Sequence, residues 1–162
     1  LRSENFKAAV VGTTGWNDVE NEVVECFRKC GTTMIYASNF SIGVNVLYAA
    51  VALLSKKLGA AGGYMPYIIE MHHIHKLDAP SGTAKSIAEI VNAGMGGDVS
   101  VQSVRCGEIP GIHTVGFEGL NDRITISHEA FSRVGLAQGA VYAAALTETL
   151  SGVHRFQDLV TA

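Results

Sequence analysis

The chain has 162 residues, enough for one ordinary domain with a hydrophobic core or for a small domain joined to part of another. Hydrophobic residues make up 48% and charged residues 17%, and the net charge of −3 excludes a general attraction to nucleic acid. No apolar run approaches the roughly 20 uncharged residues of a membrane span, and the first residues do not resemble a signal peptide, so we expect a cytoplasmic protein without a membrane partner.

The first elements predict a βαβ unit. A short apolar strand at 8–11 leads into the glycine-rich turn Gly12-Thr13-Thr14-Gly15, and a second strand follows at 33–37. Such a turn at the carboxyl end of a parallel strand is where α/β sheets bind ligands, although glycines also simply permit tight turns. We therefore expect an α/β architecture of the nucleotide-binding kind.

An amphipathic helix is predicted between these two strands, from Asn17 to a stop at Gly31. Cys26 and Cys30 lie one helical turn apart and are expected to pack on its apolar face. Three cysteines in all, without a CxxC pair, favour reduced thiols over a disulfide framework.

The later elements predict a second sheet between helices. The predicted elements are a long apolar helix at 44–58, a helix that ends near Ala93, three strands at 99–106, 113–119 and 123–130, and helices at 136–150 and 156–160. The turns between the three strands favour an antiparallel meander. An open sheet face rich in Val, Ile and Phe is costly in water, so we expect it to pack against the same sheet of another subunit.

The stretch YIIEMHHIHKLDAPSGTAKSIAEIV, residues 67–91, carries most of the chemistry. It predicts a strand, a cationic histidine-rich loop, a turn and the start of a helix. Gly82 and Thr83 fall where backbone N–H groups have no partner within the helix, and Ser81 or Asp78 can cap that end. The turn is therefore a candidate site for an anionic group such as a carboxylate.

The histidines and the lysine of this loop are candidates for acid–base chemistry. In an extended segment His72 and Lys76 share one face, whereas His73 and His75 share the other. An imidazole beside an ammonium group and a helix N-terminus can protonate a bound carboxylate-bearing substrate. The pattern predicts an active site.

Two alternatives exist for this loop. In the first, the histidines have no function and occur here only because loops are polar. Three histidines and one lysine within five residues disfavour that interpretation. A metal site formed by His72, His73 and His75 has plausible ligand spacing. Against the metal, His72 and His73 point to opposite faces of a strand, and a metal leaves the anion-binding turn unexplained, so no metal ligand is predicted.

The stretch EMHHIHKLDAPSGTA resembles, nearly position for position, the signature of 4-hydroxy-tetrahydrodipicolinate reductase (dihydrodipicolinate reductase), an enzyme of the diaminopimelate route to lysine. The segments VVGTTGW, ASNFSIGVN and GEIPGIHTVGFEGLNDRITISHEAFSR agree as well, in the order of the family. The resemblance covers almost the whole chain. It implies an α/β fold with a partial Rossmann-type nucleotide-binding domain and an α+β substrate and oligomerisation domain that has a mixed, mostly antiparallel sheet.

The resemblance also implies a domain organisation. The GxxGxMG loop with which the family begins, and the residue that selects NADH or NADPH, do not occur in this sequence. The chain then corresponds to the C-terminal two-thirds of the enzyme. Residues 1–41 match the C-terminal part of the dinucleotide-binding domain, 42–132 the substrate-binding and tetramerisation domain, and 133–162 helices that return to the dinucleotide-binding domain.

Site residues follow by matching the family's motifs. His72 matches the proton donor and Lys76 the lysine that holds and polarises the substrate, while His73, Gly82 and Thr83 match further substrate contacts. Matches to positions near the nicotinamide cofactor, NADPH or NADH, are Gly12, Thr13, Thr14, Ala37, Asn39, Phe40 and, ranked below these, Arg133.

The function that the resemblance implies is the NAD(P)H-dependent reduction of 4-hydroxy-tetrahydrodipicolinate, a small dicarboxylate, by a cytoplasmic homotetramer assembled through the antiparallel sheet. The hydride comes from the nicotinamide and the proton from His72. The alternative is a non-catalytic dicarboxylate-binding or assembly module. The phosphate-binding loop supplies most of the contacts that hold a dinucleotide, and that loop does not occur in this sequence.

Overall fold

The computed structural model of the chain describes residues 7–13 and 15–161. The chain divides into two compact units, Leu1–Asn45 with Val134–Ala162, and Val46–Arg133. In chain order the elements are β1 (Ala8–Val11), α1 (Glu20–Cys30), β2 (Thr33–Tyr36), α2 (Ile42–Ala61), β3 (Met65–His72), α3 (Gly82–Met95), β4 (Ser100–Arg105), β5 (Ile112–Glu118), β6 (Arg123–Glu129), α4 (Val134–Leu146), β7 (Val153–Arg155) and α5 (Phe156–Val160).

The first unit contains a parallel sheet in the order β1-β2-β7. The parallel pairing of β1 and β2 across α1 confirms the predicted βαβ unit. Strand β7 was not predicted, because three residues are too short for a periodic pattern. A core cluster of Ile35, Phe40, Ala143 and Phe156 lies in this unit, with the two phenylalanine rings 4.9 Å apart.

Helix α1 buries a different face from the predicted one. Its buried residues are Val24 and Phe27, three positions apart, whereas Cys26 and Cys30 are exposed. The prediction that these cysteines pack was therefore wrong, because the buried stripe runs along the other side of the helix. Gly31 ends the helix with φ 63°, a left-handed conformation that glycine adopts without strain.

The second unit contains a mixed sheet in the order β4-β3-β5-β6. Strand β3 is antiparallel to β5 and β5 to β6, but β4 pairs with β3 in parallel. The predicted meander was therefore wrong at β4. The helix α3 between β3 and β4 returns the chain to the start of the sheet, which is the connection that parallel neighbours require.

The two faces of this sheet differ. On one face Ile68, Val115 and Phe117 are fully buried. On the other face Met65, Ile69 and Val104 are exposed. These exposed side chains form an apolar patch on a face that also carries Gln102, Thr114 and Ser127, and we call this face the open sheet face.

Helix α2 buries a stripe with helical spacing, formed by Val44, Leu47, Tyr48 and Val51. At 20 residues it is long and apolar enough to cross a membrane by length and composition alone. The sequence analysis expected no segment of this length and apolar composition, and the structure contains one. One such helix is weak evidence for a membrane, because core helices of soluble proteins pass the same test.

Candidate active site

The site is organised around His72, the last residue of β3. Its side chain is buried, with 7% of the residue exposed, and its Nδ1 is hydrogen bonded to Oε2 of Glu70. Glu70 precedes it by two positions, so both side chains lie on the same face of the sheet. The carboxylate of Glu70 is fully buried and accepts two further hydrogen bonds from Arg105, at 3.1 and 2.8 Å.

The charges of these three residues are coupled. Burial raises the pKa of Glu70, but hydrogen bonds from Arg105, Ser103 and His72 outweigh it and bring the pKa to about 2. Burial lowers the pKa of His72, and the positive charges of Lys76 and Arg105 add to that effect, against the opposing influence of Glu70. At neutral pH Glu70 is therefore ionised and His72 is neutral, with its Nε2 free of a proton.

A second buried histidine packs against His72. The ring of His113, on β5, meets the ring of His72 edge to face at 5.1 Å, and its Nε2 is hydrogen bonded to Oγ of Ser81 at 3.1 Å. Burial lowers the pKa of His113 to about 4, and the charge of His72 acts in the same direction. His113 therefore stays neutral and presents a fixed dipole instead of a charge.

The loop after β3 is a turn and not an extended strand. The backbone N–H of Lys76 donates to the carbonyl of His73 at 3.2 Å, so the alternation expected from an extended segment does not continue beyond His72. The side chain of Lys76 nevertheless lies close enough for its charge to lower the pKa of His72. Its ammonium group donates to a carboxylate oxygen of Asp78 at 2.6 Å.

The N-terminus of α3 has the predicted cap. Ser81 has an extended backbone, φ −62° and ψ 157°, and its Oγ accepts the N–H of Ala84 at 3.2 Å. Gly82, at the first helical position, is exposed. Its N–H helps lower the pKa of Asp78, although the hydrogen bond from Lys76 contributes more. The ammonium group and the helix terminus therefore already hold one carboxylate, that of Asp78.

The possible metal ligands that lie close together in the structure differ from the three histidines considered in the sequence analysis. The possible ligand atoms of Glu70, His72 and His113 all lie within 4.8 Å of one another. The guanidinium group of Arg105 already engages both oxygens of Glu70, so the chain itself supplies the cation at this carboxylate. Of the histidines in the metal alternative, His75 pairs with the exposed Glu108 at 3.2 Å, and its ring is 5.9 Å from that of His73.

The predicted cofactor residues lie in the first unit, apart from Arg133, which is exposed at the end of the second. Gly12 and Thr13 follow β1 and are exposed, and Thr14 lies outside the described residues. Ala37 follows the neighbouring strand β2, and its N–H donates to the carbonyl of Val11 at 3.1 Å. Gly12, Thr13 and Ala37 thus lie at the carboxyl ends of two adjacent parallel strands, where α/β sheets bind ligands.

Phe40 and Asn39 shape the same edge of the first unit. A Cβ atom placed on Gly12 would lie 3.3 Å from the ring of Phe40, so glycine allows backbone and ring to approach closely. The Oδ1 atom of Asn39 accepts the N–H of Ser41 at 2.8 Å, which fixes the turn before α2.

Sequence reasoning did not identify Glu70, Arg105 and His113. A signal for Glu70 existed, because a carboxylate two positions before a histidine on a strand shares its face. Arg105 and Glu70 are 35 positions apart, and His113 and Ser81 are 32 apart. The pairing of β3 with β4 places Arg105 opposite His72, and the pairing of β3 with β5 places His113 opposite Glu70.

A family model described as "Dihydrodipicolinate reductase, C-terminus" matches residues 43–160. The chain belongs to the dihydrodipicolinate reductase family. A 4-hydroxy-tetrahydrodipicolinate reductase from Christiangramia forsetii is 37% identical, over 94% of this chain and 69% of that protein. Its counterpart from Xanthomonas euvesicatoria is 38% identical, over 99% of this chain and 66% of that protein. The chain spans about two-thirds of the length of the curated relatives it matches.

A solved structure shares the fold. The dipicolinate-bound dihydrodipicolinate reductase from Paenisporosarcina sp. TG-14 superimposes with a TM-score of 0.77 over 93% of this chain and 64% of that one, at 22% sequence identity. The family expected from the sequence and the predicted fold class are both confirmed.

Proposed function

We propose that the chain provides the substrate site of a 4-hydroxy-tetrahydrodipicolinate reductase, which reduces 4-hydroxy-tetrahydrodipicolinate to tetrahydrodipicolinate in the diaminopimelate route to lysine. The observation that carries the proposal is the hydrogen bond between His72 and Glu70 beside Lys76, in a chain of this family. Together they provide a proton carrier with a defined orientation next to a cation suited to a carboxylate.

The substrate is a dicarboxylate, and the loop offers groups for its charges. Lys76 binds one carboxylate as an ion pair, and the N–H groups at Gly82 and Thr83 bind it at the helix terminus. The interaction of Asp78 with Lys76 and with the N–H of Gly82 supports this assignment, because it shows that these groups can hold a carboxylate. His73 is the proposed further substrate contact.

His72 transfers the proton. In the unliganded site its pKa is lowered, so it is neutral and its Nε2 lone pair is available. A bound dianion favours the protonated form, so the substrate raises the pKa of His72 and a proton joins Nε2. The 4-hydroxyl group of the substrate leaves as water, and a hydride adds to the ring that remains. The imidazolium then gives its proton to the reduced ring, while Lys76 stabilises the negative charge that develops toward the ring nitrogen.

A reduced nicotinamide, NADPH or NADH, supplies the hydride when it is bound. The residues proposed to hold its nicotinamide end are Gly12, Thr13, Thr14, Ala37, Asn39 and Phe40, with Arg133 as a further candidate. The close approach of Gly12 to the Phe40 ring fits this role, because a side chain at position 12 would press against the ring and take up space beside the strand ends. In this scheme residues 1–41 and 133–162 belong to the cofactor domain and 42–132 to the substrate domain.

The proposal includes a cytoplasmic homotetramer. On the open sheet face Met65 is 73% exposed, and Ile69 and Val104 extend the same apolar surface. Packing against the same sheet of another subunit removes this surface from water. Sedimentation of the wild type and of Ile69→Lys tests the assembly: the charged variant should form smaller species.

The test of the reductase is oxidation of NADPH or NADH in the presence of freshly formed 4-hydroxy-tetrahydrodipicolinate. His72→Ala should lower kcat with little change in substrate affinity, whereas Lys76→Ala should weaken both. Small and equal effects of the two variants would contradict these roles. Binding of the dicarboxylate without any oxidation of either nicotinamide would instead support the alternative, a non-catalytic dicarboxylate-binding or assembly module.

A further inference from the structure

The side chain of Arg105, at the end of β4, uses all five of its N–H donors. One terminal nitrogen donates to Oε2 of Glu70 at 3.1 Å and to the carbonyl of Val104 at 2.8 Å. The other donates to Oε1 of Glu70 at 2.8 Å and to the carbonyl of Asp78 at 2.6 Å, and Nε donates to the carbonyl of Lys76 at 3.3 Å. The guanidinium group therefore joins the buried carboxylate to the backbone of the lysine-bearing loop.

The same carboxylate determines which nitrogen of His72 carries the proton. Arg105 keeps Glu70 ionised, and an ionised carboxylate only accepts hydrogen bonds. His72 must therefore donate its Nδ1–H to Glu70, which leaves Nε2 as the nitrogen that exchanges protons. A Cβ atom on Gly111 would lie 3.0 Å from this Nε2, so a side chain at position 111 would press against the nitrogen that exchanges protons.

We propose that Glu70 and Arg105 act as a positioning pair: Glu70 fixes His72 with its proton on Nδ1 and Nε2 toward the substrate, and Arg105 holds Glu70 and the Lys76 loop together. The inference rests on the proposed function for the identity of the substrate. It differs from a purely structural ion pair, because it predicts that a change at Glu70 moves a proton on His72.

The first test asks which nitrogen of His72 carries the proton in the wild-type chain. The ¹⁵N chemical shifts of the His72 imidazole, assigned by comparison with His72→Gln, should show the neutral ring protonated at Nδ1. A ring protonated at Nε2 in the wild type overturns the proposal, whatever the Glu70 and Arg105 variants show.

The second test is Glu70→Gln, which keeps the shape of the side chain and removes its charge. Since Arg105 only donates hydrogen bonds, the carbonyl oxygen of the new amide turns to it and the NH₂ group faces His72. The proton of His72 should then move to Nε2. Glu108→Gln is the matched control, because it makes the same change at the exposed His75 pair and should leave the His72 signals in place.

The third test measures binding of pyridine-2,6-dicarboxylate as a function of pH. Within residues 7–13 and 15–161, the titratable or charged groups that face His72 are Glu70, Lys76, Arg105 and His113, and of these four Glu70 carries the negative charge. Without that charge, the protonated ring that favours a dianion forms only at lower pH. As the pH is raised, the affinity of each protein for pyridine-2,6-dicarboxylate should decline. In Glu70→Gln this decline should occur at a proton concentration about tenfold higher than in the wild type, or more, which is a lower pH.

Arg105→Lys tests the second half of the pair. A lysine keeps the charge beside Glu70 but cannot also reach the carbonyls of Lys76 and Asp78. The His72 tautomer should survive, whereas affinity for pyridine-2,6-dicarboxylate should fall about five-fold or more, because the Lys76 loop is less ordered. Wild-type affinity in this variant overturns the link to the loop. If the wild type itself does not bind the dicarboxylate, the proposed function fails, and the tautomer test still decides the role of Glu70.

Discussion

The ammonium group of Lys76 lies 2.6 Å from a carboxylate oxygen of Asp78, two positions further along the same loop. The N–H of Gly82 also favours the ionised form of Asp78, so this side chain engages both groups that we assign to the substrate carboxylate. Asp78 therefore competes with an anionic substrate for Lys76 and the N–H of Gly82, and a substrate that binds these groups has to displace it.

Asp78→Asn should strengthen binding of pyridine-2,6-dicarboxylate. An exposed ion pair contributes about 0.2–1 kcal/mol, so its loss should lower the Kd by up to about five-fold. Isothermal titration calorimetry measures the change. Asp98→Asn, beyond the other end of α3, alters the net charge equally and serves as the control. Weaker binding in Asp78→Asn would mean that Asp78 holds Lys76 in its productive position instead of competing for it.

Binding of the dicarboxylate should take up a proton. The pKa of His72 is lowered in the unliganded chain, chiefly by burial and then by Lys76 and Arg105, and a dianion beside it raises the pKa again. Calorimetry near neutral pH in two buffers with different ionisation enthalpies should therefore give an uptake of up to about one proton for each ligand. His72→Gln should show much less. Equal uptake in both proteins would assign the proton to another group.

The stability of the fold should fall between pH 6.5 and 4 because of His113. Its pKa is about 4 in the folded chain, below its ordinary value of 6.5, so the unfolded chain takes up the proton first as the pH falls. The contribution of neutral His113 is fully present above pH 6.5 and is lost toward pH 4. The gap corresponds to about 3 kcal/mol.

Chemical denaturation at a series of pH values tests this linkage against His113→Gln, whose amide can still bond to Ser81. The variant should lose less free energy of unfolding than the wild type as the pH falls from 6.5 to 4. Parallel curves for the two proteins would show that another group causes the acid sensitivity.

Gly139, in α4, should tolerate no side chain. A Cβ atom there would lie 1.7 Å from the carbonyl oxygen of Phe40, a backbone atom that cannot move alone. We expect Gly139→Ala to cost about 1–3 kcal/mol or more and to lower the Tm. Gly135→Ala, in the same helix, is the matched control, because nothing lies within 4 Å of its Cβ position. Similar Tm values for the two variants would contradict the close contact with Phe40.

The features that the sequence predicts best are those set by neighbouring residues. Ser81 caps α3 because its hydroxyl needs only the N–H of Ala84, three positions on, and Gly31 ends α1 through its own backbone. The pairing of β4 was missed, because turn residues do not reveal that β3 lies between β4 and β5. Arg105 was missed for the same reason: its partner Glu70 is its neighbour only across that pairing.

The turn at His73–Lys76 shows another limit. The sequence suggested an extended segment that places His72 and Lys76 on one face, and the backbone bond from Lys76 to His73 replaces it with a turn. Both side chains still act on the same site, since the charge of Lys76 lowers the pKa of His72. The expectation that His72 and Lys76 act at one site thus needed only their proximity in the chain. It did not need the extended geometry that the sequence analysis assumed.

The most direct test of the central claim is a thermal-shift titration with pyridine-2,6-dicarboxylate on the wild type, Lys76→Ala and Lys57→Ala. Lys57 is exposed on α2, so its variant makes the same charge change away from the loop. The Tm of the wild type and of Lys57→Ala should rise with the logarithm of ligand concentration, while that of Lys76→Ala stays nearly constant. Equal shifts in all three proteins, or no shift in the wild type, would contradict a dicarboxylate site built on Lys76.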